Sequence, residues 1–173
     1  MDSTLVVCYS YTGISRRAAR LLCSHRGWAL GEIAESGPRG TLRCVLDSLL
    51  RRQPAIHYNG PDPGSFRTVV LIAPIWMYRL AGPMRSFVAI HRERLQRVAV
   101  IATMNAAGAS NAFAEIARLL GRPPVRCIAL LARSIEDGSG TGELLDFGAA
   151  LEPASMPPQP AGDAAQAQPA RQA

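Results

Sequence analysis

The feature that most constrains this chain is a fivefold alternation of two kinds of segment. Short, nearly unbroken apolar runs stand at residues 5–9, 69–73, 98–102 and 126–131, and a more alternating run at residues 28–34. Continuous apolar runs of strand length suit strands buried on both faces. Between them lie segments with helical spacing. Ile14, Ala18, Leu21 and Leu22 form one apolar stripe, with Arg16 and Arg20 on another face and Gly27 as the stop. Leu42, Leu46, Leu49 and Leu50 form a second after the break at residues 37–40. Residues 80–91 form a third, beginning around Pro83, and residues 111–120 a fourth, closed by Gly121. A fifth covers residues 143–151, after a flexible glycine-rich loop at residues 138–142. Five repeats of strand then helix specify an α/β fold, a parallel sheet with helices on both faces.

With 173 residues, 48% of them hydrophobic, the chain can bury one full core but not two. The division expected is a folded domain over residues 1–151 and a disordered Pro/Ala/Gln-rich tail over 152–173. The tail's Glu152, Asp163 and Arg171 amount to −1, which leaves +7 of the total +6 on the folded part. All 19 basic residues are arginines. Such a body favours anionic ligands, acidic proteins or membrane surfaces. No arginine-rich run with aromatics appears, so nucleic acid is not an expected partner. The longest apolar run is broken by Pro74, so no membrane span is expected. The first residues lack the pattern of a signal peptide, and a cytoplasmic location is expected. Cys8, Cys23, Cys44 and Cys127 are far apart, and His25, His57 and His91 show no ligand spacing. Neither a disulfide framework nor a metal site is expected.

Sheets of this kind bind ligands at the carboxyl ends of the strands, where strand order reverses. In a five-stranded sheet of order 2-1-3-4-5 the reversal lies between strands 1 and 3, and the loops after strands 1, 3 and 4 meet there. The first loop is Ser10, Tyr11, Thr12, Gly13, Ile14 and Ser15. It has hydroxyls at alternating positions, a glycine at the bend, and a helix behind it. Its backbone N–H groups can converge on one anion. An ordinary helix cap by Thr12 or Ser15 fits the same residues. The second loop carries Pro74, Ile75, Trp76, Met77 and Tyr78. Trp76 reads either as a core residue or as a ligand wall beyond a strand end. The third carries Thr103, Met104 and Asn105. Asn105 reads equally as a turn residue and as a ligand contact.

Taken with the residues before it, the first loop resembles the phosphate loop of the flavodoxin-like family, S-x-T-G-x-[ST] after the first strand. The second resembles that family's (G/A)-(T/S)-P-x-(W/Y) loop, with Pro83 and Phe87 in the helix that follows. The resemblance spans about residues 4–151. It implies a three-layer flavodoxin-like sandwich around a five-stranded parallel sheet of order 2-1-3-4-5. It also implies flavin mononucleotide (FMN) as cofactor. Ser10, Thr12 and Ser15, with the amides of residues 11–14, would hold the phosphate. Trp76 would cover one flavin face, and the third loop would meet the pyrimidine edge; that loop has no aromatic, which leaves the other face either open or covered by Met104. The positive body, with Arg79 and Arg85, departs from the acidic surface of electron-carrying flavodoxins.

Other anion-loop chemistries fail on spacing. A Cys-x5-Arg phosphatase frame counted from Cys8 ends at Ile14, not an arginine. A P-loop needs lysine, and the chain has none. An early G-x-G-x-x-G is missing. Three functions stay open: an NAD(P)H-linked flavin oxidoreductase passing electrons to a quinone-like acceptor, an electron carrier between redox partner proteins, and a flavin-free binding module. A homo-oligomer is compatible with each. No side chain is singled out as catalytic, because the flavin would carry the chemistry.

Overall fold

The computed structural model describes residues 3–35 and 53–152. The segment expected to be helical at residues 42–50, the break at 37–40, Cys44 and the tail beyond residue 152 lie outside the described residues. In chain order the elements begin with β1 (Thr4–Tyr9), α1 (Ile14–Arg26), β2 (Ala29–Glu35) and β3 (Ile56–Asn59). After a 3-10 turn at Pro63–Ser65 come β4 (Thr68–Trp76), β5 (Arg79–Leu80) and α2 (Gly82–His91). Then follow β6 (Arg97–Met104), α3 (Ala109–Leu120), β7 (Arg126–Leu131), α4 (Ala132–Glu136) and α5 (Thr141–Ala149).

The sheet order is β3-β2-β1-β4-β6-β7, with β5 paired to β4. The β2/β1, β1/β4, β4/β6 and β6/β7 pairings are all parallel. These are the five expected strands, in the order 2-1-3-4-5. Two short antiparallel strands add to them. β3 extends the edge beyond β2, and β5 folds back on the end of β4. Ile56 and Tyr58 are only half-buried, so β3 shows little of the apolar continuity that marks the inner strands.

Successive residues of the inner strands serve opposite cores, as the two-residue repeat of a strand requires. Leu5, Val7, Val69, Leu71, Val98 and Val100 pack with Met84, Phe87 and Val88 of α2 and Ala112 and Ile116 of α3. Val6, Cys8, Val70, Ile72, Ala99 and Ile101 pack with Ala18, Ala19 and Leu22 of α1 and Leu144 and Phe147 of α5. Three layers result. Each fully buried Leu, Ile or Phe contributes about 1.5–3 kcal/mol. Leu21, expected in the buried stripe of α1, is instead exposed; Ala19 takes the inward position.

Arg85 also differs from its expected place on a basic surface. It is buried on α2 and pairs with buried Glu115 of α3, Nε to Oε1 at 2.6 Å. Its Nη2 donates to the Leu80 carbonyl at 3.0 Å. A buried guanidinium requires such partners, and Glu115 lies 30 residues away in sequence. None of the described helices is long and apolar enough to cross a membrane.

Candidate functional site at the carboxyl ends of the parallel strands

The chain leaves β1 at Tyr9 and turns sharply before α1. Gly13, at φ 95°, lies in the left-handed region that favours glycine. Its N–H donates to the Ser10 hydroxyl at 3.0 Å, and its carbonyl accepts from the Arg17 N–H at 2.9 Å. Among the described residues no side chain caps α1, and no acidic residue stands in its first turn. The cap by Thr12 or Ser15 that the sequence allowed is therefore not made. The positive end of the helix is left without an anion from its own first turn.

Ser15 is turned inward. Its hydroxyl meets that of Thr103 at the end of β6, Oγ to Oγ1 at 2.7 Å, and both residues are buried. Pro74 of β4 stands opposite Thr103 in the parallel ladder. One side-chain bond and one ladder pairing thus gather the ends of β1, β4 and β6, the three places the sequence singled out.

β4 runs on through Trp76 and reverses into β5, so Trp76 belongs to a strand and not to a loop beyond it. Trp76 pairs with Arg79, and the two turn residues are Met77 at φ 48° and Tyr78 at φ 63°. Two left-handed residues are what a tight hairpin turn demands. For residues with a Cβ this costs roughly 1–2 kcal/mol each. The hairpin is held by the bond from Arg85 to Leu80 and by the Ala81 N–H donating to the Pro74 carbonyl at 3.3 Å. It also packs over Gly108, at φ 110°, just before α3. A Cβ on Gly108 would stand 2.6 Å from the Tyr78 Cα.

Trp76 meets two tyrosines edge-on. Its ring centroid lies 5.9 Å from that of Tyr9 and 5.6 Å from that of Tyr11, with planes at 82° and 88°. It packs on the core and also lines an open recess. The recess, of about 110 Å³, is lined by Tyr11, Thr12, Ile14, Ser15, Pro74, Ile75, Trp76, Thr103, Met104, Asn105 and Ala132. Ala132, at the start of α4, is the one lining residue that the sequence did not suggest. A small apolar residue after a strand carries no signal. Gly13 shapes the turn without lining the recess, and Ser10 faces a neighbouring groove with Glu32 and Glu35. Met77 and Tyr78 line another groove, on the α3 side of the hairpin.

The charges nearby are mostly paired. Arg16 and Arg20 reach Glu32 at 3.2 and 3.5 Å, and the Tyr9 hydroxyl donates to Glu35. Cys8, beneath the first loop, has its thiol pushed up to about 12, chiefly by burial and then by Glu32. It is an inert core group.

No family model matches the sequence, and no curated protein matches it. Solved structures do. A flavoprotein from Lactobacillus acidophilus NCFM, in complex with FMN, superposes with a TM-score of 0.66 at 17% identity over 80% of this chain and 99% of its own. The apo form of a flavoprotein from the same organism gives 0.59 at 17% identity, over 79% and 96%. A Fusobacterium nucleatum flavodoxin bound to FMN gives 0.51 at 8% identity, over 87% and 97%. Identities this low speak for architecture alone. On its strand order, its layers and these superpositions, the chain has the flavodoxin-like fold.

Proposed function

We propose that this protein is an FMN-binding flavoprotein that passes electrons from NAD(P)H to a quinone-like acceptor, in the cytoplasm. The observation that carries the flavin reading is the meeting of an uncapped helix end, at residues 12–16, with Trp76 and the end of β6 around one recess. The described residues fit the group. Thr12 is exposed, and among the described residues no side chain accepts from the first N–H groups of α1, which suits a terminal phosphate. Trp76, Met104 and Pro74 offer apolar surface to a ring system. Asn105 is exposed at the rim and can hydrogen-bond a ring carbonyl. The recess is smaller than the roughly 300–1,000 Å³ of enclosed ligand sites, so part of the flavin would extend beyond it. When bound, FMN supplies the hydride and electron chemistry. The protein's part is to anchor the phosphate and wall the ring.

The choice of NAD(P)H rests on charge. The chain carries +6, and a positive field attracts an anionic nicotinamide cofactor while repelling basic redox proteins. The test is steady-state consumption of NADPH and NADH with a benzoquinone, at low and high salt, by FMN-loaded protein. Turnover well above that of free FMN, falling with salt, is expected. Turnover no better than free FMN would overturn the oxidoreductase reading in favour of an electron carrier or a flavin-free module.

A further inference from the structure

On the α3 side of the β4–β5 hairpin lies a groove of about 580 Å³, larger than the recess beside Trp76. Its walls are Met77, Tyr78 and Arg79 from the hairpin and Asn111, Ala114, Glu115 and Arg118 from α3. The α3 residues recur at intervals of three and four, so they form one helix face. Glu115 is already matched by Arg85 at 2.6 Å. Among the described residues, no acidic side chain forms an ion pair with Arg79 or Arg118. The groove therefore holds two cations that lack a counter-charge. Beside them Met77 and Tyr78 expose 58% and 59% of their surface. Those two residues occupy the strained turn directly after Trp76, so the groove and the recess are separated by the width of one hairpin.

We propose that this groove binds the phosphate-bearing half of a nicotinamide dinucleotide, with Arg79 and Arg118 on its phosphates. The inference rests on the flavin reading of the neighbouring recess, and it assigns the donor's binding site to residues that reading does not use. Two guanidinium groups provide forked donors for a pyrophosphate, which spreads its charge over several oxygens. Tyr78 and Met77 present an aromatic face and a polarizable thioether to a purine. The volume falls within the range of small-molecule sites, and a concave wall of one helix face and one hairpin suits a dinucleotide better than a flat protein surface. The nicotinamide end would then reach across the hairpin toward the open edge of the recess.

The test uses the full-length protein and ADP, which carries the pyrophosphate and base shared by NADH and NADPH. Calorimetric titration is compared for the native protein, an Arg79→Gln/Arg118→Gln double variant, and Arg94→Gln, which removes a charge elsewhere on the surface. The double variant is expected to bind ADP at least tenfold more weakly, with FMN affinity within threefold of native and an unchanged melting temperature. Arg94→Gln is expected to bind ADP within twofold of native, and NADPH should compete with ADP. No ADP binding, or equal loss in Arg94→Gln, would overturn the proposal. So would a double variant that folds, loads FMN and binds ADP like the native protein. Arginine-dependent ADP binding by a protein that takes up no FMN would uphold the groove and remove the flavin reading. FMN uptake without ADP binding would do the reverse.

Discussion

Ser15 and Thr103 stand 88 positions apart in sequence, yet their hydroxyls meet at 2.7 Å in the buried floor of the recess. One is on the first turn of the helix after β1, and the other is near the end of β6. The bond fixes the height of the first loop against the far side of the sheet reversal.

Thr103→Val keeps the shape and removes the hydroxyl, leaving that of Ser15 buried without this partner. The expected cost is about 1–3 kcal/mol, the penalty of an unmet buried polar group. The double variant Ser15→Ala/Thr103→Val should cost less than the sum of the single changes, because no orphaned hydroxyl remains. Urea denaturation of the three variants measures this. Additive costs would mean that the pair is not coupled.

Arg85 and Glu115 are buried to nearly the same degree, with side chains 2% and 5% exposed. Glu115→Gln removes the carboxylate charge from a buried ion pair and is expected to destabilise by about 3–5 kcal/mol. The exposed pair of Arg94 and Asp62 gives the contrast, and Asp62→Asn should cost no more than about 1 kcal/mol. The same denaturation curves compare the two. Equal costs would contradict the buried assignment.

His91 ends α2 in contact with Phe87, ring centroids 4.6 Å apart, and near Tyr58 at 6.1 Å. Burial, then the charge of Arg94, lowers its pKa from 6.5, against an opposing pull from Asp62. Below its ordinary value the unfolded chain holds this proton more tightly than the folded one. Stability is therefore full above about pH 6.5 and falls as pH drops through the folded value. His91→Asn should flatten that part of the profile, read as melting temperature from about pH 7.5 to 5.5. An unchanged slope would exclude His91 as its source.

The five parallel strands were legible because inner strands of such a sheet are apolar on both faces, and their order followed from the resemblance to the flavodoxin-like family. Val69 to Ala73 and Val98 to Ala102 could scarcely be anything else. The edge strand β3 was not legible, since Ile56-His57-Tyr58-Asn59 is half-exposed and owes its conformation to β2. The hairpin at Trp76 was hidden for another reason. Its turn residues, Met77 and Tyr78, are not the Asn-Gly type that announces a left-handed pair, and tertiary contacts with Gly108 and Arg85 hold them there. In the recess, the hydroxyl loop stood out by its place after the first strand, and Trp76 by the resemblance of its segment to the family's second loop. The inward turn of Ser15 was not, because its partner lies on a strand three crossovers away.

The central claim is that the turn from Ser10 to Ser15 holds a flavin phosphate, and comparative titration with FMN and riboflavin tests it most directly. Both carry the same ring, and only FMN carries the phosphate. FMN is expected to bind at least tenfold more tightly, since a single hydrogen bond to a charged group contributes roughly 1.5–3 kcal/mol. Thr12→Val should weaken FMN by about tenfold or more and leave riboflavin unchanged. Equal affinity of the native protein for the two flavins would contradict the assignment of the phosphate loop.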